Sequence, residues 1–228
     1  MNRTLLFTVL LATSASAMAH DPGEHGPGRS IDKVNGGITA EAGQAYGDLS
    51  TVNGGIHLQR GAKAGDVETV NGGIEAADEV STHSVSTVNG GIRFGQGARV
   101  DGEVETVNGG IFLDRGSNVS RGVSTVNGGI GLVDTDLGGG IETVNGDITV
   151  GVGSHVKGGI HVEKPRGNWG FRMGKPKVPR IVIGPDAVVE GNLVFEREVK
   201  LYVHQSARIG GVTGANAQRY AGATPPQD

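Results

Sequence analysis

The pentapeptide Val-Asn-Gly-Gly-Ile recurs seven times in this chain, with its asparagine at Asn35, Asn53, Asn71, Asn89, Asn108, Asn127 and Asn145. The spacings are 18, 18, 18, 19, 19 and 18 residues, and only the last copy varies, with Asp147 in place of the second glycine. A fixed period of this length is the signature of a solenoid, because one unit cannot bury its own apolar face and must stack on the next. Two residues before each asparagine stands a threonine (Thr51, Thr69, Thr87, Thr106, Thr125, Thr143), with Lys33 as the exception. Three residues after it comes Ile, and five after it Ala40, Leu58, Ala76, Phe94, Leu113, Leu132 or Val150. That alternation is the period of a strand, not of a helix.

A finer period of six runs through each unit. Val70, Ala76, Thr82, Val88, Phe94 and Val100 form one series, and Ile74, Val80, Ser86, Ile92, Ala98 and Val104 a second, offset by four. With both series pointing inward, each unit is three short strands joined by corners. The predicted fold is therefore all-β, a single-stranded, three-faced parallel β-helix of about 18 residues per coil, with coils about 4.8 Å apart. An asparagine at the same corner of every coil can donate to the side-chain oxygen of one neighbour and accept from the nitrogen of the other, forming a ladder. The glycines after it are expected to supply the positive φ of a sharp corner. Asn-Gly between apolar runs also fits a two-residue hairpin turn, a competing reading that does not account for the three-part sub-period.

Composition narrows the class. Forty-two glycines against nine aromatic residues in 228 leave a slim core of Val, Ile, Leu and Ala. There is no cysteine, so neither disulfides nor a lipid-modified cysteine is available. Residues 1–19 carry one charge, Arg3, an apolar run from Leu5 to Leu11 and the small-x-small ending Ala17-Met18-Ala19, the pattern of a cleaved signal peptide. The chain is thus expected to be exported, periplasmic or extracellular, with no transmembrane segment after cleavage. Loss of Arg3 moves the formal charge from -4 to -5, which argues against a nucleic-acid partner.

The expected organisation is signal peptide 1–19, flexible segment 20–30, solenoid repeats 31–162, a basic loop insertion 163–180, final coils 181–212 and a flexible tail 213–228. The whole stack is expected to hold about nine coils, roughly 43 Å in length. The insertion holds Lys164, Arg166, Arg172, Lys175, Lys177 and Arg180 together with Trp169, while Pro165, Pro176 and Pro179 remove ladder donors. After it, Ile183, Val189 and Phe195, and Ala187, Leu193 and Val199, resume the two series.

The segment Ile181-Val-Ile-Gly-Pro-Asp-Ala-Val-Val-Glu-Gly-Asn-Leu193, followed by Ala207-Arg-Ile-Gly-Gly-Val212, resembles the bactofilins, bacterial polymer-forming proteins of stacked coils. The Val-Glu-Thr-Val-Asn-Gly-Gly-Ile units are similar to the adhesin-type β-solenoid repeats of exported bacterial proteins. Together these resemblances cover most of residues 31–212. They imply a right-handed coil, no cofactor and no catalytic residue. The signal-like leader departs from the bactofilin pattern.

The resulting functional expectation is an exported, non-catalytic structural protein of the cell envelope that self-associates end to end. The alternative is adhesin-like binding of a cell-surface polymer or protein through a solenoid face or the basic segment, with Lys164, Arg166, Trp169, Arg172, Lys175 and Lys177 as contacts. Structural weight is expected on the seven corner asparagines. In a competing enzymatic reading, His155 or His204 is the general base of an acyltransferase-like coil edge. His20, Asp21, Glu24 and His25 could hold a metal loosely. The unphased His57, His83, His155, His161 and His204 are expected at the surface.

Overall fold

The computed structural model describes residues 28–165 and 177–226. Every regular element among them is a strand, and every strand pairing is parallel. The strands fall into three sheets in which each strand bonds its equivalents one coil before and one coil after. The first sheet has ten strands, beginning with Arg29–Asn35, Tyr46–Asn53 and Val67–Asn71 and ending with Leu193–Phe195 and Val212–Thr213. The second also has ten, from Ile38–Ala40 to Lys200–His204 and Ala217–Tyr220. The third has seven two-residue strands, from Ser81–Thr82 to Arg208–Ile209, and isolated bridges carry its row back through Lys63 to Ala45. The chain is a three-faced parallel β-solenoid.

Ten strands per main sheet make about ten turns, one more than the repeat count gave. The extra turn comes from the end of the chain. Ala217–Tyr220, expected in a flexible tail, pairs with Lys200–His204 in register, because Tyr220 has a buried place against His204 to fill.

The core is a column of small and branched apolar side chains. Each coil contributes a pair from each main sheet, such as Ile92 and Phe94 from the second and Val104 and Thr106 from the first, with Ala98 and Val100 from the third region between them. Here the sequence reading was out of phase on one sheet. It placed Val70, Val88 and Ser86 inside, whereas Val67, Thr69, Val85 and Thr87 are the buried residues and Val70 lies outside, 37% exposed. The reason is the corner itself. Asn-Gly-Gly adds length between the first and second sheets, so the inward step from Thr87 to Phe94 is seven residues while that from Thr82 to Thr87 is five.

Two corners use glycine, for different reasons. Left-handed backbone occurs at the corner between the second and third sheets, where Gly43, Gly61, Gly97, Gly116 and Gly153 have φ of 67–70° and Glu79, Asp134 and Asp186 stand in for glycine at 61°, 44° and 56°. At the Asn-Gly-Gly corner only Gly36 has positive φ, so the expectation for these glycines was wrong in its cause. What they supply is room. A Cβ on Gly72, Gly90, Gly109 or Gly128 would collide with the carbonyl oxygen of the glycine one coil earlier. The second glycine is less crowded: its Cβ would sit 3.1–3.3 Å from the next carbonyl at Gly37, Gly55, Gly73, Gly91 and Gly110. That difference explains why the copy that varies does so at its second position.

Candidate functional site

The seven asparagines stand in one line, each in register with the next. Every Nδ2 donates to the Oδ1 of the preceding copy, from Asn53 on Asn35 at 3.1 Å through Asn89 on Asn71 at 2.9 Å to Asn145 on Asn127 at 3.1 Å. All six bonds point the same way, so the amide dipoles add and polarise one another. A second ladder runs beneath it. The hydroxyls of Thr51, Thr69, Thr87, Thr106 and Thr125 donate at 2.8–3.1 Å to the carbonyl of the first corner glycine of the previous coil. This is why an inward, buried position holds Thr instead of Val: the corner carbonyl needs a donor that water cannot provide. Lys33 fits as the exception. Among the described residues no earlier coil lies beneath it, and its Nζ donates to Gly37 O at 2.7 Å.

The ladder has a terminator that sequence reading missed. In register, the asparagine column continues through Lys164 to Arg197, four residues after Ile160 and Leu193 as Asn145 is four after Ile141. Arg197 reaches back across the intervening coil, donating from Nη1 to Asn145 Oδ1 at 2.5 Å and Val144 O at 3.0 Å, and from Nη2 to Lys177 O at 3.2 Å. A cation thus meets the oxygen end of the aligned amides, as a cation suits the carbonyl end of a helix. The signal was present in the sequence, since Arg197 lies at the column position, but it could be read only once the coils were in register.

The basic insertion leaves from this same corner. Its first foot is set by Lys164 N donating to Glu196 Oε2 at 3.2 Å. Its second foot rests on Asp147, which accepts from Lys177 Nζ at 2.6 Å and Arg180 N at 2.9 Å. Burial would raise the Asp147 carboxyl, but Lys177 and the Arg180 amide outweigh it and hold the group below the usual carboxylate range. Asp147 is the residue that breaks the repeat, and anchoring the returning chain is what it does. Of the six expected contact residues, Lys177 is therefore occupied as an anchor and Lys164 marks the other foot. Arg166, Trp169, Arg172 and Lys175 lie outside the described residues, as do His20, Asp21, Glu24 and His25.

The histidines are scattered on the outside, with one correction. His155 projects from the third sheet with Nε2 2.7 Å from Glu190 and Nδ1 3.9 Å from Asp136. The shallow groove there, about 560 Å³, is lined also by Val188 and Arg208. His204, expected at the surface, is buried, with Nδ1 at 2.7 Å from Ser206 and its ring edge-on to Tyr220. The two candidate bases are thus on different sheets, and each is held by local partners. No protein-family model, curated protein or solved structure matches the chain. Among the described residues no helix is long and apolar enough to cross a membrane.

Proposed function

We propose that the protein is a non-catalytic structural solenoid of the cell envelope, exported by the leader at residues 1–19, whose copies associate through the N-terminal end of the stack. The observation that carries this reading is the unequal finish of the first sheet, whose edge strand is seven residues long at the N-terminal end and two at the other. The first strand, Arg29–Asn35, is seven residues long, exposed along almost its whole length, and bears Val34 at 67% exposure. A long edge strand offers a row of backbone groups to any chain that can pair with it. The other two sheets finish in short edges at both ends, and at the C-terminal end the first sheet finishes in the two-residue Val212–Thr213. There Arg219 Nη1 donates to His204 O and Ala207 O, Tyr220 Oη donates to Ile183 O, and Arg180 reaches Pro226 O at 2.6 Å. Short edges and filled carbonyls are the devices that blunt association.

Sedimentation of the chain from His20 onward, with and without a folded domain fused in place of residues 1–27, tests the reading. Concentration-dependent assemblies that the fusion abolishes support it. A monomer at every concentration without the fusion removes it.

A further inference from the structure

The outer face of the first sheet carries three parallel columns that the corner ladder does not use up. In register along the stack stand Asp32, Ser50, Glu68, Ser86, Glu105, Ser124 and Glu142, so that a carboxylate alternates with a serine. Two residues further along each strand, on the same face, lies the invariant valine, Val34, Val52, Val70, Val88, Val107, Val126 or Val144. Next to it, at the corner, is the asparagine column. The alternation keeps successive carboxylates two coils, about 9.6 Å, apart. Ser50 Oγ donates to Asp32 at 2.6 Å and Ser124 Oγ to Glu105 at 3.1 Å. No Lys or Arg stands in the carboxylate or valine columns over these seven coils.

The outward valine recurs in all seven copies, beside an inward threonine in every copy but the first, exposed at Val34, Val52 and Val70 and half-buried at Val88, Val107, Val126 and Val144. The valine column reads as a seam, and the columns beside it decide what fits. On one side are acceptors. On the other, each asparagine Nδ2 has two N–H groups and the ladder uses one. We propose that this face pairs with the same face of a second copy, the two solenoids side by side and parallel, valine column on valine column about a two-fold axis that runs along the stack.

The symmetry follows from charge. A two-fold axis along the stack sets the carboxylate column of one copy opposite the asparagine column of the other, acceptor against spare donor. An axis across the stack would instead set the carboxylate–serine column of one copy on that of the other, away from the spare amide donors and with carboxylates of both copies close together, and like charges that close oppose binding. Burial and the acids at 66 and 48 raise the Glu68 carboxyl, and burial with Glu103 and Glu142 raises Glu105, so added donors would relieve groups short of them. The seam spans six intervals, about 29 Å. A strip of that length and roughly 12 Å breadth buries under about 800 Å² in all, less than a stable dimer needs, so the contact acts only where copies are already held at high local concentration, as along a polymer.

The inference rests on the self-assembly reading and adds a lateral contact to it. Because the chain has no cysteine, single variants Val70→Cys and Val107→Cys in the full chain from His20 can be probed with a short bismaleimide, whose reach suits the roughly 10 Å between stacked sheets. Parallel pairing predicts same-position cross-links about tenfold faster than at Thr39→Cys or Arg99→Cys on the outer faces of the other two sheets, as for sites held together instead of meeting by diffusion. The double change Val88→Lys with Val107→Lys should bring Val70→Cys down to the control rate, while circular dichroism reports an intact fold. Mixed Val52→Cys and Val126→Cys chains cross-linking faster than either alone would mean the antiparallel arrangement and overturn the proposal. So would rates no faster than the controls; persistence of the end-blocked assemblies' difference in sedimentation would then show that end association stands without the lateral contact.

Discussion

The first seven coils and the last three reach the same cross-section by different chemistry. From Arg29 to Val150 the corner is periodic: asparagine on asparagine as far as Asn145, threonine on glycine carbonyl as far as Thr125, and glycine wherever two coils come closest, while the buried Thr143 hydroxyl has no partner. Beyond Asn145 these ladders stop, and from Arg180 onward single larger side chains take their place. Arg197 closes the amide column, Arg180 lies over the Tyr202 ring at 4.9 Å, and Val182, Tyr202 and Tyr220 form a small cluster of their own. The repeat gains each stabilising contact from both neighbours, so an error in one coil is felt in the next. The irregular end gains its contacts once, and in exchange can stop.

The sharpest way to break this comparison is at the closest approach. Gly109→Ala sets a Cβ against the Gly90 carbonyl, backbone on backbone, and should cost more than about 3 kcal/mol in urea unfolding. Gly211→Ala in the last coils meets only the Asn192 side-chain oxygen at 3.1 Å, which can move, and should cost under about 1 kcal/mol. Equal losses would mean that the two regions are not held differently.

Arg197→Ala removes three donated hydrogen bonds from a cation at the junction of the two regions. A loss of about 1–3 kcal/mol is expected, with raised protease sensitivity between Lys164 and Lys177. A variant as stable as the parent would show that the ladder needs no terminator.

Within the ladder, Asn89→Ala deletes the bonds on both sides of Asn89 and should lower stability by about 1–2 kcal/mol. Asn35→Ala deletes one and should cost under about 1 kcal/mol. The ratio, read from paired denaturation curves, measures how far the rungs depend on one another.

The carboxylates sharpen the comparison through pH. Asp147, at the start of the irregular region, has its folded pKa depressed. Its contribution is present above the unfolded value near about 3.9 and is lost as pH falls through the folded value. Glu68 and Glu105, on the periodic face, have folded values raised, chiefly by burial. The folded state then binds protons more tightly, so stability rises as pH falls through the raised values toward the unfolded value near about 4.3. Asp147→Asn should therefore be less stable than the parent at neutral pH and converge on it in acid. Glu68→Gln with Glu105→Gln should be at least as stable at neutral pH and lose the parent's gain on acidification. The same trend in both, in melts at several pH values, would contradict the assignment.

The smallest effect expected is a gain. Glu79 holds φ of 61° at a corner where most coils use glycine, and Glu79→Gly should raise stability by about 0.5–1 kcal/mol by relieving the left-handed strain, less the entropy that glycine adds to the unfolded chain. A loss on thermal unfolding would mean that the Glu79 side chain holds the corner.

What the sequence by itself determined was periodic. The 18-residue repeat required parallel stacking, the alternation around each Ile required strands, and the constant asparagine required a line of amides, because in a stack each residue's neighbour is its own equivalent one period away. Ladder register is then a matter of counting, and Asn35 to Asn145 could be aligned without coordinates. The sequence also marked Asp147 and the Lys164–Arg180 stretch as departures. Tertiary structure decided whatever depends on contacts that do not repeat. The phase of the first sheet turned on how much length the corner consumes, so Thr87 went inside and Val88 outside. The purpose of the corner glycines turned on the distance between coils, which no single coil contains. Arg197 meets Asn145 across 52 residues, and Tyr220 meets Ile183 across 37. Such pairs have no period to betray them, because each is made once, by side chains long enough to reach over a coil that the repeat has left.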